Sequence, residues 1–549
     1  MKTLKISTRF ALLFGFGVWI YFLFAVPTFD FDESLYRRVV EAMKANHNPW
    51  LLTWDGDPLY HKPPVFYWLV WFFSLIIDGA NAGVSSLAAR LPSFFSSVGI
   101  LIGLYFGLSY VKGEKRSSFN WIPVLGFLMA AFPLFTGASV VFDPLQTFFL
   151  LPALLIPARF FYSGKPLRAK EWVFWSLSLF LASASKGLNG IIVPSLAFGL
   201  HLLFELRKTP FSSVFKTGLR YLFFAFIPAA ILIAGFYYLL DQKIGHAFSH
   251  EFLWVQHFER SQNAMEQHSG SFLYHPLVIF LGGGFLTPLL FYVYRRNRKP
   301  FLEYGFPLTF VLAFILTFTF SATKLPHYTW PAWPALALYL GLILDDKTLE
   351  KQDAKIDRWA GILLSLPVLL LGTVLFLFTT TSQEWAEVMM EAAPKQTMAI
   401  SLLNHLPPVS ILSQICLYLG GFICLLFLAR RRQITHFIEL TTAFSTLCSL
   451  LLVVGLAPTA KGLLITPFQE IAESLKSLHP KKDECIRASG ALSPTLSLAV
   501  GTELILNRCD ANTMRYLITP EWKADECQAN HLEKVDQKSY LVLCAKKTN

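Results

Sequence analysis

The sequence predicts a polytopic α-helical membrane protein of about 13 transmembrane helices, followed by a small α/β C-terminal domain. Of the 549 residues, 54% are hydrophobic and only 15% are charged, and the chain contains 52 Phe and 14 Trp. This composition is too apolar for a soluble multidomain enzyme, and no long polar linker interrupts the chain before about residue 460. It also excludes disorder, a collagen-like structure and nucleic-acid binding as the main function.

Thirteen apolar stretches are long enough, or nearly so, to cross a bilayer. A spanning helix needs about 20 apolar residues, because backbone amides in lipid must pair within their own segment. The first stretch is long and has no convincing small-residue cleavage site, so we interpret it as a retained anchor. The predicted helices cover residues 10–26, 88–110, 120–135, 143–159, 172–184, 188–205, 220–240, 274–294, 304–320, 328–344, 360–380, 410–429 and 436–457.

The distribution of Lys and Arg predicts the orientation. If the N-terminus, with Lys2, Lys5 and Arg9, is cytoplasmic, the loops on its side carry 25 of the 47 basic residues, whereas the opposite loops before residue 460 carry ten. Cytoplasmic loops are normally the basic ones. Thirteen crossings then place the C-terminal tail outside the cytoplasm.

The chain therefore divides into two predicted domains. A transmembrane domain covers residues 1–459 and includes two long outer loops, 27–87 and 241–273. An extracytoplasmic C-terminal domain covers residues 460–549, where a helical pattern and alternating strand patterns indicate an α/β structure. The helical pattern spans residues 466–478, and the strand patterns are Thr495–Val500, Arg515–Thr519 and Ser539–Leu543.

Four cysteines lie in the last 90 residues: Cys485, Cys509, Cys527 and Cys544. An even set fits two disulfides in an oxidising compartment, with three possible pairings that the sequence leaves open. Four free buried thiols in a cytosolic domain are the alternative.

The first outer loop carries the first candidate catalytic groups. Asp32 and Glu33 directly follow the first predicted helix, and Lys62 precedes a double proline. The apolar stretch Val65–Ile77 has only 13 residues, which suits a helix lying in the membrane interface. The two carboxylates therefore lie near the membrane surface, where they could act in catalysis or cap the following helix.

A second outer carboxylate, Asp143, opens the fourth predicted helix and precedes Pro144. Proline at the first helical position makes the preceding aspartate a ready N-cap, so capping is the simpler interpretation and catalysis the alternative.

Cations recur on the same side of the membrane, although the outer loops are poor in Lys and Arg. Lys62, Lys186, Arg260 and Lys324 each lie near a membrane boundary, where snorkelling alone explains a single one. Four on one face indicate a site for a lipid phosphate or pyrophosphate.

Histidines raise the possibility of a metal. The outer loops contain His61, His246, His250, His257, His268 and His275. No pair has the spacing of a strong zinc motif. A structural or interfacial role for these histidines is therefore favoured over metal binding. Neither a Walker nor a Rossmann pattern occurs, and no nucleotide cofactor is expected.

In their order along the chain, these motifs resemble the bacterial aminoarabinose transferases, lipid A-modifying members of the membrane glycosyltransferase superfamily that also contains protein mannosyltransferases. The resemblance covers about residues 1–345. It rests on Asp32-Glu33, Gly56-Asp57-Pro58-Leu59-Tyr60-His61-Lys62-Pro63-Pro64, Ala88-Ala89-Arg90-Leu91-Pro92, Asp143-Pro144-Leu145, Ser185-Lys186-Gly187 and Lys324-Leu325-Pro326-His327-Tyr328.

The resemblance implies the C-type glycosyltransferase fold in a bacterial inner membrane. It also implies an inverting enzyme that moves a sugar from an undecaprenyl phosphate carrier to lipid A, or to another lipid or glycan of the cell envelope, at the periplasmic face. The implied catalytic carboxylates are Asp32 and Asp143, with Glu33 beside them. The implied contacts to the carrier phosphate are Lys62, Tyr328, Arg260 and Lys324.

One departure from the family concerns a metal. The family commonly has Glu immediately before the loop lysine, where this chain has His61. The resemblance implies that this position is a metal ligand, paired with a histidine from the later outer loop. In this chain that histidine is His257. His61 and His257 are therefore the candidate ligands for a divalent metal such as zinc.

Two other functions stay open. The same reaction could modify a protein or a surface glycan. A transporter or flippase of lipid-linked sugars is the rival from another class, but its polar sites should lie near the bilayer midplane, often within inverted repeats. No such repeat is visible, and the charged residues cluster in outer loops.

Overall fold

The structure is a computed structural model, and it describes most of the chain up to residue 344 and parts of the chain beyond. The described residues are 6–26, 31–54, 57–80, 83–114, 120–245, 247–262, 270–296, 305–344, 438–447, 449–450, 453–454, 466–478, 480, 485–488, 514–520, 527–528, 530, 532–538 and 541–546.

The regular structure among the described residues up to 344 is helical, apart from one short β-hairpin with two residues in each strand. The helices are α1 Ile6–Ala25, α2 Phe31–Ala45, α3 Val65–Ile77, α4 Ser86–Lys112, α5 Trp121–Met129, α6 Ala131–Thr136, α7 Asp143–Ser163, α8 Ala169–Lys186, α9 Asn189–Glu205, α10 Phe211–Tyr221, α11 Ile227–Ile244, α12 Ala247–Ser249, α13 Arg260–Gln262, α14 Tyr274–Gly282, α15 Leu286–Arg296, α16 Phe306–Phe320 and α17 Ala332–Leu344. π-Helical segments occupy Leu222–Phe226 and His250–Glu259, a 3₁₀ turn occupies Pro326–Thr329, and the hairpin pairs β1 Thr53–Trp54 with β2 Asp57–Pro58.

Four helices within the described residues are long and apolar enough to cross a membrane, and a bent pair makes a fifth. They are Ile6–Ala25, Ser86–Lys112, Asp143–Ser163, the continuous Phe211–Ile244, and Tyr274–Gly282 with Leu286–Val293. Shorter helices occupy most of the remaining predicted spans up to residue 344. The predicted helices 360–380 and 410–429 lie outside the described residues, so the total of 13 stays a prediction.

Two predicted continuous helices are in fact broken. Residues 120–135 form α5 and α6, separated by Ala130 in an extended conformation, and α14 and α15 are bent by 94°. The two breaks lie against each other, since a Cβ at Gly284 would come within 2.7 Å of the Met129 carbonyl oxygen. Gly284 has a φ of +51°, so both its backbone conformation and its close packing favour glycine.

Three glycines on α4 bring it close to α7. A Cβ at Gly99, Gly103 or Gly107 would come within 2.5, 2.6 and 2.7 Å of the α7 side chains Phe148, Leu151 and Leu155, respectively. Small residues at four-residue spacing let membrane helices approach closely, where packing replaces the hydrophobic effect. This contact fixes α7, whose first residue is Asp143, against the scaffold.

A buried arginine ties the end of α1 to the start of α2. The Arg90 side chain donates hydrogen bonds to the carbonyl oxygens of Phe22 at 2.8 Å and Val26 at 2.6 Å. Its guanidinium also pairs with the Glu33 carboxylate at 2.9 Å, and both side chains are buried. Because Glu33 follows Asp32 directly, this clamp fixes the backbone that carries Asp32.

The interfacial helix has the predicted bounds, Val65–Ile77. Phe66, Tyr67 and Val70 are buried against the protein, whereas Phe72 and Ile76 are exposed. A 13-residue helix with one apolar face turned outward suits a position in the membrane interface rather than across it.

Near the C-terminus, a helix packs on a four-stranded sheet. The helix Thr466–Ser477 covers one face of the sheet, whose strand order is β3-β4-β6-β5. The β3–β4 pair is parallel and the other pairs are antiparallel. The strands are β3 Cys485–Ala488, β4 Met514–Pro520, β5 Glu533–Lys538 and β6 Leu541–Ala545.

These elements agree with the predicted helix 466–478 and the predicted strand Arg515–Thr519. The third predicted strand, Ser539–Leu543, differs, because β5 ends at Lys538 and β6 begins at Leu541. The strand predicted at Thr495–Val500 lies outside the described residues.

Cys527 and Cys544 form a disulfide. If all four C-terminal cysteines are paired, this bond selects one of the three possible arrangements and leaves Cys485 for Cys509. Cys509 lies outside the described residues, so the second pairing stays a prediction.

We expect Arg90→Ala to destabilise the protein by about 3 kcal/mol, because it removes the guanidinium that pairs with the buried Glu33 carboxylate and donates to the Phe22 and Val26 carbonyl oxygens. Arg168→Ala is the control, since Arg168 is 61% exposed and lies 3.6 Å from Glu171, and it should cost less than about 1 kcal/mol. Thermal unfolding of the purified proteins in detergent measures both effects. Equal stability of the two variants would contradict the role of the clamp.

Candidate active site

A cavity of about 420 Å³ lies where the α8–α9 junction, the π-helical segment His250–Glu259 and the end of α16 meet. Two of its lining residues, Lys62 and Tyr328, were predicted to contact a phosphate, and a third, His257, was a candidate metal ligand. The lining residues are Lys62, Lys186, Asn189, Gln256, His257, Ser261, Gln262, Thr317, Phe318, Phe320, Ser321 and Tyr328. The cavity therefore combines cations, amides and hydroxyls, which are donors that suit a phosphate and a sugar.

Asp143 and Lys186 form a buried ion pair beside this cavity. The Lys186 ammonium donates to the Asp143 carboxylate, which joins the end of α8 to the start of α7. Asp143 is 2% exposed and Lys186 is 7% exposed. The predicted N-cap role of Asp143 is not seen, because α7 begins at Asp143 itself and the carboxylate is engaged by Lys186.

The ring of Tyr328 is held from several sides. The Lys186 ammonium lies 4.8 Å from the ring centroid, a cation–π contact. Phe318 stacks on the ring at 4.5 Å, and His275 stacks at 6.2 Å. Tyr328 itself lies in the 3₁₀ turn Pro326–Thr329, which Pro326 starts. These contacts fix the position of the Tyr328 ring.

His257 connects the segment 250–259 to the α8–α9 junction. Its Nδ1 donates to the Phe252 carbonyl oxygen at 2.7 Å, and its Nε2 accepts from the Leu188 backbone N–H at 3.2 Å. The imidazole lies against Gly187, where a Cβ would come within 2.6 Å of Nε2. Gly187 has a φ of +143°, so the glycine of the Ser-Lys-Gly motif is needed for both conformation and space.

Asp32 is half-buried in the first turn of α2 and is not among the cavity-lining residues. Burial, and secondly the negative charge of Asp32, raise the pKa of the Tyr67 hydroxyl. Tyr67 packs edge-on against Phe142, whose centroid is 5.4 Å away, and Phe142 precedes Asp143. The surroundings of Asp32 thus include the segment that leads into Asp143.

Glu33 and Lys324, which were predicted to be functional, make buried contacts within the protein that give each of them a structural role. Glu33 is paired with Arg90 and is 1% exposed. Lys324 is 6% exposed, and its ammonium donates to the carbonyl oxygens of Phe318, Thr319 and Ser321 at 2.5 to 3.1 Å. An ammonium has three protons, and all three are donated to carbonyl oxygens at the end of α16. They are therefore not available to a ligand.

The candidate metal ligands do not fit a metal in this structure. Both ring nitrogens of His257 are hydrogen-bonded to backbone, so neither presents a lone pair to a cation. His61 is half-buried and does not line the cavity. Among the described residues, no group of three or more His, Cys, Asp and Glu side chains is placed to hold a metal ion. We therefore derive no step through a metal.

The sequence reasoning missed the polar wall of the cavity. Asn189, Gln256 and Gln262 line it beside Ser261, and none belongs to a motif that stands out in one sequence. Arg260 lies between them in the chain, in the short helix Arg260–Gln262. The side chain of Arg260 lies outside what the structure describes, so its predicted phosphate contact stays a prediction.

No protein-family profile matches the chain. In sequence, it is 25% identical over 346 residues to the undecaprenyl phosphate-alpha-4-amino-4-deoxy-L-arabinose arabinosyl transferase of Erwinia tasmaniensis, covering 61% of this chain and 59% of that protein. It is 25% identical over 421 residues to the protein of the same name from Serratia proteamaculans, covering 71% and 70%. An uncharacterized protein of Aquifex aeolicus is 26% identical over 330 residues, covering 58% and 60%. The matches to the Aquifex and Erwinia proteins thus span about three fifths of those relatives.

In structure, the chain is similar to the crystal structure of ArnT from Cupriavidus metallidurans bound to undecaprenyl phosphate. The TM-score is 0.73 at 15% sequence identity, and the similarity covers 98% of both chains. Fold and apolar helices together define a multipass helical membrane protein with the C-type glycosyltransferase fold. Within this class, the predicted resemblance to the aminoarabinose transferases is confirmed by similarity in both sequence and fold.

We expect Lys324→Ala and Lys62→Ala to differ in stability. Lys324→Ala removes the donor of three buried hydrogen bonds and should lower the free energy of unfolding by at least about 2 kcal/mol. Lys62 is half-buried at the cavity, and its loss should cost less than about 1 kcal/mol. Thermal unfolding in detergent compares the two variants, and an equal loss would refute the structural role of Lys324.

Proposed function

We propose that this protein is an inverting glycosyltransferase that moves a sugar from an undecaprenyl phosphate carrier to lipid A or another acceptor of the cell envelope. The observation that carries this proposal is the single cavity that brings Lys62, Lys186 and Tyr328 together from three distant parts of the chain. It is supported by the relatives named arabinosyl transferases and by the fold shared with ArnT.

In this proposal, the carrier phosphate binds at Lys62 and Tyr328, which both line the cavity. The Lys62 ammonium supplies positive charge, and the Tyr328 hydroxyl supplies a hydrogen-bond donor at a ring already fixed by Phe318. Lys186 lines the same cavity, but its charge is balanced by Asp143, so it mainly orients Tyr328. Lys62 and Tyr328 are therefore the proposed direct contacts to the phosphate.

The chemistry follows from the donor. The bond between the anomeric carbon and the carrier phosphate oxygen breaks, and its electron pair stays on the phosphate, which is the leaving group. The protein then has to stabilise the negative charge that grows on that oxygen, which is the role of Lys62 and Tyr328. Attack by the acceptor oxygen in the same step inverts the anomeric carbon.

Asp32 acts on the acceptor. A lipid phosphate acceptor is already an anion, so Asp32 would orient it rather than remove a proton. A hydroxyl acceptor would lose its proton to Asp32. The position of Asp32 is set by the adjacent Glu33–Arg90 pair. Glu33 is therefore a positioning residue, and Asp143 positions Lys186 in the same way.

The proposed arrangement in the bacterial inner membrane has 13 transmembrane helices over residues 1–459, a cytoplasmic N-terminus and a periplasmic C-terminal domain over residues 460–549. The basic inner loops support this orientation. The Cys527–Cys544 disulfide supports it too, since disulfides persist in the oxidising periplasm.

Mass spectrometry of lipid A and surface glycans from cells with and without the protein tests the function. We expect a mass difference of one sugar that disappears in Lys62→Ala and Asp32→Asn, and that falls at least about tenfold in Tyr328→Phe, which keeps the ring but removes the hydroxyl donor. Lys165→Ala, in an exposed loop, is the control and should retain full transfer. Normal transfer by Lys62→Ala in folded protein would overturn the assignment, and a sugar found on protein or surface glycan instead would change the acceptor.

Labelling of single added cysteines tests the orientation. Lys476→Cys is exposed on the helix Thr466–Ser477 and should react with a membrane-impermeant maleimide in intact spheroplasts. Lys165→Cys should react only after the membrane is permeabilised, because its loop is cytoplasmic in this arrangement. The opposite pattern would reverse the topology.

A further inference from the structure

A second cavity, of about 260 Å³, lies at the other end of α8 from the candidate active site. Trp172 and Trp175 line it from the start of α8, whereas Lys186 ends that helix. With a rise of 1.5 Å per residue, the two cavities are separated by roughly 15 to 20 Å along α8. The lining residues are Phe160, Pro166, Leu167, Trp172, Trp175, Phe198, Thr217, Arg220 and Phe224.

The lining is aromatic with one cation. Arg220 is exposed at its rim, and within the described residues it makes no ion pair or hydrogen bond. The acidic residue of α8, Glu171, is engaged by Arg159 and by the Tyr110 hydroxyl. The positive charge of Arg220 is therefore left for a ligand.

A buried donor lines the same cavity. Trp175 is 1% exposed, and its indole N–H has no acceptor among the described residues. Its ring is fixed by stacking on Trp172 at 5.6 Å and by contact with Tyr221 at 4.8 Å. A buried N–H without an acceptor is costly, so an acceptor oxygen supplied by a ligand would stabilise this site.

The cavity lies next to the lipid-facing surface. Phe224 belongs both to its wall and to the π-helical segment Leu222–Phe226, where Phe223 and Phe224 are more than half exposed. The π-helical segment precedes Pro228, which lacks the N–H that a regular α-helix would use at that turn. π-Helical turns occur frequently at functional sites.

We propose that this cavity binds the headgroup of an anionic membrane phospholipid. The phosphate would pair with Arg220 and accept the Trp175 N–H, while the acyl chains lie along the exposed Phe223 and Phe224 side chains. The same end of the molecule carries the exposed basic residues Lys165, Arg168, Lys170, Arg207, Lys208 and Lys216, which favour an anionic leaflet. The proposal concerns a different site from the transfer reaction and does not depend on it.

Native mass spectrometry of the full-length protein with added phosphatidylglycerol or phosphatidylcholine tests the site. We expect phosphatidylglycerol to bind at least about tenfold more tightly than phosphatidylcholine, because the choline ammonium of phosphatidylcholine neutralises the phosphate charge that would face Arg220. Arg220→Gln should remove this preference, and Trp175→Phe should weaken the binding of both lipids while keeping an aromatic ring. Lys216→Gln, an exposed residue on the same helix that does not line the cavity, is the matched control and should bind as the unchanged protein does.

A thermal shift measured with the same lipids gives an independent readout. Phosphatidylglycerol should raise the unfolding temperature of the unchanged protein and of Lys216→Gln, but not that of Arg220→Gln. Unchanged lipid preference in Arg220→Gln would overturn the proposal. Equal protection by inorganic phosphate would also overturn it, because it would identify a site for a free anion rather than for a lipid.

Discussion

The ion pair between Asp143 and Lys186 is the interaction on which the candidate site depends. Both groups are buried, and each would be costly without the other, so the pair holds the start of α7 against the end of α8. Lys186 then lies over the ring of Tyr328, which belongs to a third part of the chain. One buried contact thus aligns three segments that are far apart in sequence.

A second buried ion pair, between Arg90 and Glu33, has a similar arrangement. Arg90 gathers two carbonyl groups at the end of α1 and the carboxylate of Glu33 at the start of α2. In water such contacts contribute little, but here both partners are removed from solvent, and their geometry is fixed. Each buried ion pair thus lies next to a candidate functional residue: Glu33 of one pair lies in the first turn of α2 with Asp32 as its neighbour, and Lys186 of the other contacts the Tyr328 ring.

Hydropathy and helix-breaking residues predicted those elements whose ends are marked by proline or by a change from apolar to polar residues. The interfacial helix has its predicted bounds because Pro63 and Pro64 precede it and its apolar run ends before Asp78. Hydropathy did not predict the breaks at Ala130 and Gly283–Gly284, because a broken and a continuous helix have the same apolar composition. The glycines by themselves do not predict a break. The break is explained by the close packing of Gly284 on the Met129 carbonyl oxygen.

The site was predictable by residue type but not by partner. Lys62 and Tyr328 line one cavity, but Asp32 does not, and the ammonium of Lys324, in the same motif as Tyr328, donates to carbonyl oxygens at the end of α16. The direction of a lysine side chain depends on the carbonyls that the fold brings near it, and no single sequence contains that information. His257 is similar, since its role became clear only from its contacts to Phe252 and Leu188.

The glycine contacts between α4 and α7 have a mechanical consequence. Sliding either helix along the other would drive Phe148, Leu151 and Leu155 off the glycines and into side chains with no room for them. The two helices must therefore move as one rigid body, and any motion that opens a path for substrate has to hinge at elements outside this pair.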